Sequence, residues 1–150
     1  MAKNETTVEE NFGFDIPTRY DADVALEGVW TPPVLDEHDQ QWGEFKLVMF
    51  DTDNPAIKKA QEKVRIRNEK AVRLKQVTND DLALEVFLEA ILIDWKGVKK
   101  GGVEVPYTKE TAKQYFSVSA VRKVVFPELL AFAVDVRNYP TPDKDEVAGN

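Results

Sequence analysis

The chain has 150 residues, 43% hydrophobic and 31% charged, with a formal net charge of −7 and no cysteine. This composition suits one globular domain with some polar overhang, and it excludes disulfides, thiolate chemistry and zinc–thiolate sites. The acidic balance argues against nucleic acid as a partner, and no apolar run approaches the length of a membrane span.

The opening stretch MAKNETTVEENFGFD is polar and acidic and lacks the apolar segment of a secretory signal. With no cysteine, it points to a reducing, intracellular setting. Residues 1–22 show no sustained period and read as a flexible acidic arm. Val24, Leu26, Val29 and Trp30 follow, then Pro32 and Pro33, then a second run at Phe45, Leu47, Val48, Met49 and Phe50. Glu44, Phe45, Lys46 and Leu47 alternate polar and apolar, as a half-buried strand does. Residues 23–50 therefore predict two or three short strands, one of them over 45–50.

Asn54 and Pro55 start a helix: the asparagine can accept from an early free amide, and proline fits the first turn. Ile57, Ala60, Val64, Ala71, Val72 and Leu74 recur near helical spacing, which predicts a helix to about Gln76. Thr78, Asn79, Asp80 and Asp81 open the next. Apolar residues between 82 and 93 cover most of a helix circumference, so a buried central helix is predicted through Ile93. Asp94 and Trp95 would close it, with Gly97 as a left-handed cap and Lys96, Lys99 and Lys100 near its negative end. Lys100, Gly101 and Gly102 predict a turn, and Val103 to Val105 a short extended arm kept so by Pro106. Thr108 reads as the N-cap of another helix, with Tyr107 stapled on Ala112. That helix carries Ala112, Tyr115 and Phe116. A further one begins at Ser117 or Ser119 and carries Val121, Val124 and Val125; Pro127 kinks it or begins the last helix. Leu129, Leu130, Ala133, Val134 and Tyr139 form the last apolar face, and residues 140–150 read as a polar tail. The expected fold is mainly α (α+β): one small helical domain over 23–139 with a short N-terminal β-hairpin and polar termini.

Residues that could carry chemistry are few. His38 lies among Asp36, Glu37 and Asp39, all metal-ligand types, but without a second histidine the stretch reads as a polar loop. Glu85, Glu89 and Asp94 fall near i, i+4 spacing and read as a solvated helix edge. No nucleophile sits in a motif beside a base, and no glycine-rich loop precedes a helix. No catalytic residue, cofactor or metal is expected. Charge placement is more informative. Residues 55–76 hold eight bases against two acids, a net +6, whereas residues 80–95 hold five acids and no base. The two segments either neutralise each other or leave a basic face for an acidic partner, which includes another copy's acidic arm. Arg65, Arg67, Lys70 and Arg73 are the candidate partner-binding residues.

The order of these pieces resembles the small tail assembly chaperones of long-tailed bacteriophages and prophages. The likeness covers about residues 43–139 and rests on DNPAIKKAQEKVRIR, ILIDWKGVKKGGVEVPYTKETAKQYF and FPELLAFAVDVRNY, above all on Asn54-Pro55, Asp94-Trp95, Gly97 and Pro106-Tyr107-Thr108. These last residues read as a structural joint between two helices. The resemblance implies a non-enzyme of the host cytoplasm that coats the tape measure protein, recruits tail tube subunits and is absent from the mature virion; a homo-oligomer is a further expectation. Two alternatives stay open: a minor structural component of the tail or neck, and a small acidic regulator that binds a host protein.

Overall fold

Gln41–Leu47 forms the strand around which the domain is built. Gly43, Phe45 and Leu47 are buried while Trp42, Glu44 and Lys46 are half-exposed, the alternation of a strand with one face on the core. In the computed structural model, which describes residues 12–141, the chain first forms a helix, Ala22–Glu27 (α1), and two short strands, Val29–Trp30 (β1) and Val34–Leu35 (β2). Residues 1–11 and 142–150, most of the predicted arm and tail, lie outside the described residues. Gln41–Leu47 is then β3. It pairs antiparallel with β1 near Leu47, with β2 near Gly43, and with a fourth strand, Leu92–Lys96 (β4). The helices follow as Pro55–Arg67 (α2), Glu69–Arg73 (α3), Asn79–Val86 (α4), Lys109–Ser117 (α5) and Ser119–Val134 (α6). A two-stranded hairpin, Lys99–Lys100 (β5) and Val103–Glu104 (β6), stands between β4 and α5. The fold is α+β.

The predicted central helix is corrected. It is α-helical only to Val86, continues as a π-helical turn, Phe87–Ile91, and then straightens into β4. Phe45 lies opposite Trp95 and Leu47 opposite Leu92, with a register shift between Lys46 and Leu47. A short apolar run is compatible with a buried helix or a buried strand, and here an available edge of β3 decides for the strand. Asp94 and Trp95 therefore sit in a sheet. The wide π turn rotates Phe87 and Ile91 into the core, where both are fully buried. The predicted strand region is also corrected: Val24 and Leu26 belong to α1, which Asp21 caps by accepting from the amides of Asp23 and Val24.

Asn54 caps α2 by accepting from the Ala56 amide, and Pro55 occupies its first turn. The predicted run to Gln76 breaks at Asn68, whose side chain donates to the Val64 carbonyl and competes with the backbone ladder. After the break, α3 ends with Lys75 at φ 57, the Gln76 amide on the Ala71 carbonyl and the Lys75 amide on the Val72 carbonyl. That is a Schellman closure with a lysine where glycine is usual. Thr108 caps α5 reciprocally with Thr111. Pro127 lies inside α6.

The main core joins the sheet to α2, α4, α5 and α6. Phe116 packs edge-on against Phe87 at 5.5 Å and Phe45 at 6.4 Å, and Phe87 against Phe126 at 5.3 Å. A smaller cluster of Ala25, Met49 and Tyr139 ties both ends of the described chain to β3. The Tyr139 hydroxyl donates to the Leu47 carbonyl, and the Asp21 amide to the Tyr139 carbonyl. Burial pushes the Tyr115 hydroxyl up to about 12; it donates to the Trp42 carbonyl.

Candidate functional site

Of the predicted joint, Asp94, Trp95, Gly97, Pro106, Tyr107 and Thr108 follow one another around β4 and the hairpin, in a different geometry from a helix end, whereas Asn54 and Pro55 start α2. Trp95 stands in β4, edge-on to Tyr107 and Tyr115 at 5.5 Å each, and its indole N–H donates to the Val105 carbonyl at 2.7 Å. The Tyr107 hydroxyl donates to the Leu92 carbonyl. Pro106 offers its carbonyl to the Thr111 hydroxyl beside the Thr108 cap. Asp94 accepts from the Trp95 amide. Gly97 has the left-handed φ of 85 expected of it, but in the turn leaving β4 and not at a helix end. Its amide donates to Glu104, which fastens the β5–β6 hairpin. The three lysines are corrected with it: Lys96 lies over the Trp30 ring at 4.3 Å, and Lys99 and Lys100 form β5.

A Cβ on Gly97 would lie 3.3 Å from the Gly43 Cα across the sheet. Gly97→Val is therefore expected to destabilise the fold by about 1–2 kcal/mol, through the left-handed φ and the close backbone. A melting temperature equal to that of the parent protein would contradict this placement.

The basic face divides into paired and unpaired charges. Arg67 bonds Glu85 at 2.7 Å and Lys63 bonds Glu89 at 2.7 Å, so part of the acidic segment neutralises α2 within the chain. Arg65 bonds Glu62 one turn away. The Lys63 hydrogen bond, with Lys109, Lys63 and Arg67 nearby, holds the Glu89 carboxyl below its usual range against the opposing effect of burial. Lys109 also donates to the Glu89 carbonyl. Arg67, Glu85, Glu89, Lys109, Glu110 and Lys113 thus line a cleft of about 370 Å³ in which the two signs alternate. Lys70 and Arg73 on α3 are exposed and join none of these ion pairs among the described residues.

Beside α3 lies a groove that the spacing of apolar residues did not reveal. Phe50, Val64, Val72, Leu82, Ala83 and Val86 line about 340 Å³ of open space, with Gln61 and Arg65 at its rim. In the sequence, Val72 and Leu74 look like a continuation of the core face of α2. The break at Asn68 leaves them 45% and 51% exposed. α2 forms one wall and α4 the other, and α3 adds Val72 alone; the lining base is Arg65, while Lys70 and Arg73 stand exposed on the short helix that carries Val72.

His38 is exposed in the turn between β2 and β3, which Asp36 organises by accepting from the His38 and Gln40 amides and the Trp42 indole. Among the described residues no group of three or more His, Asp or Glu side chains is placed to hold a metal ion, and no helix is long and apolar enough to cross a membrane.

No curated protein and no solved structure matches the chain. The family model described as YdaY prophage protein matches residues 52–150. The match begins just before the Asn54 cap and takes in α2, the groove, β4, the hairpin and α6, while β3 and the segments before it fall outside. Since it spans about two-thirds of the sequence, the chain belongs to the YdaY prophage protein family.

Proposed function

We propose that this prophage protein is a tail assembly chaperone, a non-catalytic protein of the host cytoplasm that binds the tape measure protein and tail tube subunits before the tail is complete. The observation that carries the reading is the open apolar groove between α2 and α4, which Val72 of α3 also lines and whose flanking α2–α3 segment is strongly basic, with Lys70 and Arg73 exposed on the helix that carries Val72. Such a groove suits an amphipathic helix, whose apolar stripe enters while acids on its flank meet the bases. A tape measure protein is rich in long helices that must be kept soluble until the tube covers them, and this is the client chemistry that the groove fits. The order of elements from Asn54 to α6 resembles such chaperones, and the prophage family supplies the setting.

The test is co-expression with the tape measure protein encoded by the same prophage, followed by pull-down. The parent protein is expected to retain the client, and Lys70→Glu/Arg73→Glu to lose most of it at an unchanged melting temperature, because neither base joins an ion pair among the described residues. Arg67→Glu serves as the contrast. It breaks the partly exposed pair with Glu85 and should cost about 0–1 kcal/mol of stability. A double variant that binds the client as well as the parent protein would overturn the role given to α3.

A further inference from the structure

We propose that the acidic, aromatic N-terminal arm of one copy docks in the groove between α2 and α4 of a second copy, so that the protein associates with itself by exchanging arms. Arm exchange uses the groove assigned above to the client but does not depend on who the client is.

The arm carries the apolar surface that such a contact needs. Phe12, Phe14 and Ile16 are 88%, 73% and 60% exposed, three large apolar side chains within five residues. A cluster of that kind marks an interaction surface more often than a lone exposed residue does. Its root is fixed: the Tyr20 hydroxyl donates to Asp51 and the Asp21 amide to the Tyr139 carbonyl. Residues 14–19, just before this anchor, are in neither helix nor strand. In an extended segment Phe14 and Ile16 fall on the same side, about 7 Å apart.

Size and charge match the groove. An apolar cavity of about 150 Å³ accepts one benzene ring, so the groove has room for about two side chains of this size. Residues 1–16 hold Glu5, Glu9, Glu10 and Asp15 against Lys3, a net −3, and the α2–α3 segment that forms one side of the groove is +6. Among the described residues Lys58, Lys59, Lys70, Arg73 and Lys75 of that segment are exposed and join none of its ion pairs, which leaves their charge to meet those acids. The occupant is another copy's arm, since the described part of the chain's own arm lies off its own groove: none of residues 12–16 lines it, and Phe14 faces solvent.

The experiment is sedimentation of the full-length chain across a concentration series, without client. The parent protein is expected to self-associate, more weakly as salt rises. Phe14→Ser/Ile16→Ser in the arm and Val72→Glu in the groove should each weaken association by roughly tenfold or more. Arg65→Glu, at an exposed residue that lines the groove, is the second groove variant should Val72→Glu lose its helical signal. A mixture of an arm variant with a groove variant should recover association, since one sound arm then meets one sound groove. A monomeric parent protein at every concentration, variants that associate like the parent, or a mixture that fails to recover would each overturn the proposal. Loss of client binding with arm exchange intact would instead count only against the chaperone reading.

Discussion

Replacing Phe87 by alanine is expected to cost about 3–5 kcal/mol, enough to remove much of the stability of a domain of this size. Phe87 is fully buried at the point where α4 gives way to the π turn. Its ring meets Phe116 from α5 and Phe126 from α6, so truncation opens a cavity where three helical segments converge. None of these neighbours can fill the gap without leaving its own contacts, since Phe116 is also held against Phe45 in the sheet. Phe87→Leu should cost markedly less, because most of the volume is kept. Denaturant unfolding of the two variants checks both values. A loss for Phe87→Ala under about half a kcal/mol would place the side chain at the surface.

Trp95→Ala is expected to have an effect of similar size, about 3–5 kcal/mol, for a different combination of reasons. The indole fills the space between β4 and α5, where it meets Phe45, Tyr107 and Tyr115 edge-on. It also satisfies the Val105 carbonyl, which leads into Pro106 and the α5 cap. Truncation removes the packing and leaves that carbonyl without its donor, a penalty of about 1–3 kcal/mol where water cannot reach it. Trp95→Phe separates the two contributions, because it keeps most of the ring contacts and loses the donor. Chemical unfolding monitored by circular dichroism is the measurement. If Trp95→Phe proved as damaging as Trp95→Ala, the lost hydrogen bond would outweigh the lost packing.

What could be read from the chain was local. The Asn54 and Thr108 caps and the turn at Gly101 and Gly102 each follow from a few neighbouring residues, and each is found in the structure. β4 could not be read in this way. Residues 90–95 are as apolar in a helix as in a strand, and what selects the strand is β3, more than forty residues earlier. Tyr139 shows the same limit: its hydroxyl partner is 92 residues away. The candidate site divides along the same line. The excess of bases over 55–76 is visible by counting. Which of them are spent on Glu85 and Glu89, and which stand free on α3, depends on how α2 lies against α4. Val72 and Leu74 continue the apolar spacing of Ile57, Ala60 and Val64, and the turn at Asn68 leaves both exposed, with Val72 lining the groove instead of the core.

Amide hydrogen exchange on the full chain, with and without the tape measure protein, tests most directly whether a helical client enters the groove between α2 and α4. New protection is expected on α3 around Val72 and on the first turns of α4 around Leu82 and Ala83, with the β5–β6 hairpin exchanging as before. Protection confined to the hairpin or the sheet, or none at all in a mixture shown to bind, would contradict it.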